Sequence, residues 1–408
     1  MANLKTVSCP HCGDKFKQQH GRQKYCKIQC TKAANARQRT AAKKEEKKLA
    51  TESNARASRG EHYLYFVENY AAELLEGQFT QKFVAEDIGV DQSVVARMLL
   101  AYKEDKAVAE AREGWDIPEE AKDALTSFEK FRDRYFLTET GKPYETAKFH
   151  KNWIKNILKS IKNGTQLMIL SPPRHGKTDL LTHFAVWQVC KNPNIRIMWV
   201  GGNEDIAKNA VGAVLDHLEN NEKLIEDFCG PGETFKPKSR TGKTWSSGQF
   251  TVKTRTVTGI KSPTMVAVGK GGKILSRDCD LIIADDIEDH TSTMQPASRE
   301  NTRSWWTTTL SSRKEEHTAM VVIGSRQHYD DLYSHLLENQ SWKTIVEEAH
   351  DTACTLPDWN EEEHTDCMLW TGKRTYKWLM DRKRAAETTG GRAIYEMVYL
   401  NVAMPDGL

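Results

Sequence analysis

Nothing in the 408 residues approaches the run of about 18 apolar side chains that a membrane-spanning helix needs. Residues 1–10 also lack the apolar stretch of a secretion signal. Cysteine is sparse and odd in number, nine in all, which excludes a fully paired disulfide framework and indicates a reducing compartment. Acidic residues are scarce at one end. Residues 1–60 hold four Asp/Glu against fifteen Lys/Arg, so that end carries about +11 and the remainder about −8, within a net charge of +3. A basic end on a mildly acidic body is suited to contact with polyanion, the plainer alternative being a solvated basic tail. No internal repeat is visible. The length accommodates one large domain with one or two small ones.

Four of the cysteines fall in the first thirty residues, as Cys9 and Cys12, then Cys26 and Cys30. Two such pairs can supply four thiolates to a tetrahedral Zn²⁺. A segment this short buries too little apolar surface to fold alone, so metal binding would supply much of its folding free energy. His11 and His20 are possible substitute ligands. With Tyr25 ahead of the second pair, residues 1–32 resemble small treble-clef zinc fingers of phage and mobile-element proteins. Residues 33–59 are rich in Ala, Lys, Glu and Arg and read as a basic helical linker.

Residues 60–105 read as a helix-turn-helix module. Phe66, Val67, Tyr70, Leu74 and Leu75 recur at helical spacing. Thr80 is placed to cap a second helix, Gly89 to take a left-handed turn, and Asp91 or Ser93 to cap a third. Val84, Ala85, Ile88, Val90, Val95 and Leu99 supply its core. Gln92, Ser93 and Arg97 would then face a DNA major groove, unless the pair is only a packing hairpin.

From residue 121 to 355, helical stretches alternate with apolar runs at 167–170, 195–200, 265–268, 281–284 and 319–324. That alternation predicts an α/β fold with a mostly parallel sheet flanked by helices. The first run leads into Ser171, Pro172, Pro173, Arg174, His175, Gly176, Lys177 and Thr178, then an apolar helix over 179–190. Strand, loop ending in Gly-Lys-Thr, and helix are the context of a P-loop that binds ATP. Lys177 would reach the β- and γ-phosphates and Thr178 would hold Mg²⁺. Ser171 stands where the motif usually opens with glycine. The run at 281–284 ends in Asp285 and Asp286, which suit a Mg²⁺-linked carboxylate and a water-orienting acid respectively, with Glu288 and Asp289 as nearby alternatives. The run at 319–324 ends in Ser325 and Arg326, where polar side chains can touch the γ-phosphate or the water, and Asp330 and Asp331 then suit a helix start.

Residues 144–408 resemble the large terminase subunit of tailed bacteriophages, the ATPase that drives DNA into the capsid. The resemblance lies in His150 to Trp153, the Pro-Pro-Arg-His-Gly-Lys-Thr loop, residues 280–286, Trp305 to Leu310, and residues 323–332. It implies that Arg174 acts catalytically with Lys177 and Asp286, and that Ser325 and Arg326 couple hydrolysis to movement. It further implies double-stranded DNA, a portal protein and a small terminase subunit as partners, a homo-oligomeric ring, and the host cytoplasm without a membrane. A ring motor takes an arginine finger from a neighbour, for which Arg277, Arg299, Arg303 and Arg313 are candidates. Residues 356–408 resemble the end of the family's ATPase region, which a nuclease domain normally follows, so no DNA cleavage is expected of this chain alone. The competing readings are another P-loop DNA translocase or transposition ATPase, and a zinc and helix-turn-helix regulator with a nucleotide switch.

Overall fold

The computed structural model describes residues 6–9, 15–17, 62–63, 65–111, 115–238, 243–257, 260–274, 278–354, 363–389 and 391–402. The chain divides into two compact units, with the first boundary between Glu104 and Asp105.

In the first unit, strands β1 (Thr6–Ser8) and β2 (Lys15–Lys17) pair antiparallel. Cys9 follows β1 and is buried; Cys12, Cys26 and Cys30 lie outside the described residues, as does the linker over 33–59. Helices α1 (Ala71–Leu75), α2 (Gln81–Ile88) and α3 (Gln92–Ala111) follow, and α3 runs past the boundary. The Thr80 hydroxyl accepts from the Phe83 amide at 3.2 Å, ending the chain's extended course and starting α2. Gly89, at φ +77°, ends it. Asp91 rather than Ser93 caps α3, its carboxylate accepting from the Ser93 amide at 2.8 Å. Phe66, Leu74, Val84, Ala85, Val95 and Met98 are buried together, with Ile88, Val90 and Leu99 packed against them.

The second unit opens with α4 (Glu119–Thr126), α5 (Phe128–Tyr135) and α6 (Lys148–Asn163). An alternation follows: β3 (Gln166–Leu170), α7 (Lys177–Lys191), β4 (Ile197–Gly201), α8 (Glu204–Asn220) and α9 (Glu222–Cys229). Next come β5 (Trp245–Ser246), β6 (Gln249–Phe250), β7 (Met265–Gly269), β8 (Leu281–Asp285) and α10 (Pro296–Trp305). The unit ends with β9 (Ala319–Gly324), α11 (Leu332–Glu338), β10 (Trp342–Val346), α12 (Tyr376–Thr388) and α13 (Arg392–Leu400). The eight strands form one sheet in the order β10-β3-β9-β8-β4-β7-β6-β5. Six are parallel, and only the β6 and β5 edge runs antiparallel.

Alternate side chains of the central strands serve two cores. Leu167, Ile169, Trp199, Ile283 and Val321 face the core shared with α4 to α9. Met168, Leu170, Val200, Ile282 and Val322 face the other, closed by Trp305, Trp306, Tyr333 and Leu336. Burial on both faces makes these strands continuous apolar runs, which is why each of the five expected runs is a strand. β10 has mostly exposed side chains and escaped that pattern. Trp306 to Leu310 continue α10 as a π-helical turn. The described residues of 356–408 belong to this same unit. Among the described residues, no helix is long and apolar enough to cross a membrane.

Candidate active site

Strand order places β9 between β3 and β8, with Leu170 opposite Gly324 and Asp285 opposite Ile323. The loop after β3, the acids after β8 and the polar tip of β9 therefore meet at the carboxyl ends of three adjacent strands. Such strand ends are where open parallel sheets bind ligands. Two residues of the loop have left-handed backbone, Arg174 at φ +60° and Gly176 at φ +73°. The positive φ favours glycine at 176, and a Cβ there would also sit tightly, 3.3 Å from His150 Nε2.

Lys177 opens α7 almost fully buried. Its ammonium donates to the carbonyls of Ser171 at 3.1 Å and Pro172 at 3.2 Å, and to the Ser325 hydroxyl at 3.0 Å. Ser325 in turn donates to the Ser171 carbonyl at 3.1 Å. The Thr178 hydroxyl donates to Asp285 Oδ2 at 2.8 Å. Asp285 is 3% exposed, and its Oδ1 has no hydrogen-bond partner among the described residues. Burial first, and the neighbouring Asp286 charge second, hold its carboxyl well above the usual carboxylate range. An orphaned buried oxygen beside a threonine hydroxyl is a donor set suited to Mg²⁺.

Asp286 has a left-handed backbone at φ +42° and an exposed side chain, and its amide donates to the Ile323 carbonyl at 2.9 Å. Its carboxylate makes no hydrogen bond or ion pair among the described residues. The two alternative acids are engaged. Glu288 is buried and accepts from the Leu332 amide at 2.7 Å, and burial pushes its pKa up to about 7. Asp289 caps a single helical turn, His290–Thr293, through the Ser292 amide.

Ser325 and Arg326 face different ways, since consecutive residues leaving a strand point to opposite sides. Arg326 does not join the loop: it is 4% exposed and paired at 3.0 Å with Asp331, which is fully buried. Asp331 also caps α11 by accepting from the Ser334 amide at 2.9 Å. The Arg326 amide donates to the Asn401 side chain, which donates to the Glu347 carbonyl and so joins the tip of β9 to the exit from β10. Of the proposed finger arginines, Arg299 and Arg303 are both held within this chain by Asp330. Arg313 has a buried Nε without a partner among the described residues, and Arg277 lies outside them.

The cleft over these groups has a volume of about 570 Å³, within the range of small-molecule sites. Arg132, Tyr144, Gln327, Trp370 and Lys373 also line it. Arg132, Tyr144, Trp370 and Lys373 stand outside the short motifs of the sequence and carry no site signal there, whereas Gln327 falls within residues 323–332, next to Arg326. Trp370 meets the His150 ring edge-on at 4.9 Å. His150 Nδ1 accepts from the Ala147 amide at 3.2 Å, so its Nε2–H donates to the His175 carbonyl at 2.8 Å and props the loop. Burial lowers the His150 pKa to about 4, which keeps this ring neutral.

In the first unit, Gln92, Ser93 and Arg97 are exposed along the start of α3, with Arg97 Nε donating to the Ser93 carbonyl at 3.3 Å.

No protein-family model matches the sequence, and comparison with curated proteins gives no match. Solved structures do show a likeness. The large terminase of bacteriophage HK97 is similar over 68% of this chain and 55% of its own, at 17% identity and a TM-score of 0.45. The ATPase domain of the Thermus phage P74-26 large terminase, solved as a mutant, is similar over 59% of this chain and 89% of that one. Its identity is 13% and its TM-score 0.35. This chain thus spans little more than half the length of the first protein.

Proposed function

We propose that this chain is an ATP-hydrolysing DNA motor of the large-terminase kind. The observation that carries the reading is the convergence of Lys177, Ser325, Thr178, Asp285 and Asp286 at three adjacent strand ends. Lys177 and the backbone amides of the loop would neutralise the phosphates of ATP. Thr178 and Asp285 would hold Mg²⁺, which when bound shares the charge of the phosphate oxygens. The exposed carboxylate of Asp286 would accept a hydrogen bond from water and aim it at the γ-phosphorus, with ADP as the leaving group. Arg174, exposed at the loop tip, would add positive charge to the transferring phosphoryl group. Ser325 senses the phosphate end of the site through Lys177, and Arg326 transmits through Asp331 and Asn401.

The DNA side of the reading is supported by the basic charge of residues 1–60 and by the exposed Gln92, Ser93 and Arg97 on α3. Zn²⁺ on Cys9, Cys12, Cys26 and Cys30 is supported by their spacing. The portal protein, the small subunit and assembly as a ring belong to the same proposal.

The test is ATP turnover by the full chain with Mg²⁺, with and without double-stranded DNA. Wild type should hydrolyse ATP, faster when DNA is present. Asp286→Asn should lower kcat by about 10²- to 10⁴-fold, the usual contribution of a general base, while leaving nucleotide binding intact. Equal turnover by wild type and Asp286→Asn would overturn the assignment. Tight nucleotide binding with no turnover by wild type would favour the switch reading.

A further inference from the structure

Between β10 and α12 the chain passes Cys354, His364 and Cys367. One ligand atom from each lies within 4.8 Å of the other two. Cys354 Sγ is 3.5 Å from His364 Nδ1, and the two thiols are themselves hydrogen-bonded. The backbone draws the cysteines together independently of these side chains: the Asp351 amide donates to the Cys367 carbonyl at 2.7 Å, and the Cys354 amide to the Asp351 carbonyl at 3.3 Å. His364 is 1% exposed, and its ring stacks on Tyr376 at 3.7 Å and 4°, which fixes its orientation. Both cysteines are half-exposed, so an ion has access.

We infer that Cys354, His364 and Cys367 form a Zn²⁺ site that braces this part of the chain. Two thiolates and an imidazole suit Zn²⁺, whereas Mg²⁺ and Ca²⁺ require oxygen ligands. Binding one Zn²⁺ releases the two thiol protons to solvent and leaves one tetrahedral position for a further donor. The local packing gives such a brace a purpose. Among the described residues, Ala349, Tyr376, Leu379 and Met380 form a small buried cluster here, a core of the kind that metal ligation reinforces. Trp370 follows shortly after Cys367 and packs against Phe149, His150 and His175 beneath the 171–178 loop. A metal clamp at Cys367 therefore holds one wall of the cleft. The site stands apart from the nucleotide reading, since its ligands are none of the residues assigned to ATP.

The experiment measures metal and thiols rather than turnover. Full-length protein would be purified without chelator and its zinc content determined by mass spectrometry for wild type, Cys354→Ser/Cys367→Ser, and Cys12→Ser/Cys26→Ser. The Cys354→Ser/Cys367→Ser variant should contain one zinc fewer per chain than wild type, and the Cys12→Ser/Cys26→Ser variant should retain that ion. Should the first variant fail to fold, wild type decides alone. Cys354 and Cys367 should resist alkylation by iodoacetamide until a chelator strips the zinc, and then react. Equal zinc in folded wild type and folded Cys354→Ser/Cys367→Ser overturns the inference. So does a disulfide between the two cysteines in the purified protein, or alkylation that is indifferent to the chelator.

Discussion

Lys177 and Ser325, 148 residues apart in the chain, stand 3.0 Å apart in the fold. Their hydrogen bond ties the start of α7 to the tip of β9 and makes the serine a direct partner of the only lysine in the 171–178 loop. The bond is charge-assisted and buried, and such bonds are worth about 1.5–3 kcal/mol.

Ser325→Ala removes that acceptor and the donor to the Ser171 carbonyl, while Lys177 keeps two carbonyl partners. The variant should fold normally and turn over ATP at least about tenfold more slowly, by the factor that about 1.4 kcal/mol represents. Steady-state hydrolysis beside a thermal melt checks this, and wild-type turnover would show that the bond plays no part in hydrolysis.

Arg326→Ala tests a different kind of contribution. It would leave Asp331, with no exposed surface, as an uncompensated charge held only by hydrogen bonds. Loss of one partner of a buried pair costs about 3–5 kcal/mol, so a large fall in the urea midpoint is expected. A variant as stable as wild type would mean that the pair is not buried in solution.

Glu288 predicts a pH dependence. Its folded pKa is about 7 against an ordinary 4.5, raised chiefly by burial. The folded state therefore holds the proton more tightly, a stabilisation fully present below the ordinary value and lost as pH rises through about 7. Glu288→Gln keeps a neutral acceptor for the Leu332 amide. Relative to wild type it should gain on the order of 1–3 kcal/mol between about pH 5 and pH 8, read from urea midpoints without nucleotide. Parallel stability profiles for the two proteins would remove Glu288 from that role.

Arg97→Ala should weaken binding of the full chain to double-stranded DNA by about tenfold. If Arg97 contacts phosphate, the slope of affinity against salt should also fall by about one. Unchanged affinity and slope would mean that the exposed start of α3 is not the DNA face.

What the sequence determines alone is local. Thr80 caps α2 and Gly89 ends it because each acts on amides and carbonyls within a few residues of itself. The five central strands were legible because burial on both faces demands unbroken apolar runs, while β10 was not, its edge position leaving most of its side chains in water. The 171–178 loop, Asp285 and Asp286 were legible as a strand end, a glycine and a charged cluster. Strand order was not, because it depends on which apolar faces pack across the whole unit, and no short pattern records that. Only the fold sets β9 between β3 and β8, so that Ser325 meets Lys177 while Arg326 turns to Asp331. Only the fold brings Trp370 under the loop and gathers Cys354, His364 and Cys367, since contacts between distant segments follow from packing rather than from spacing.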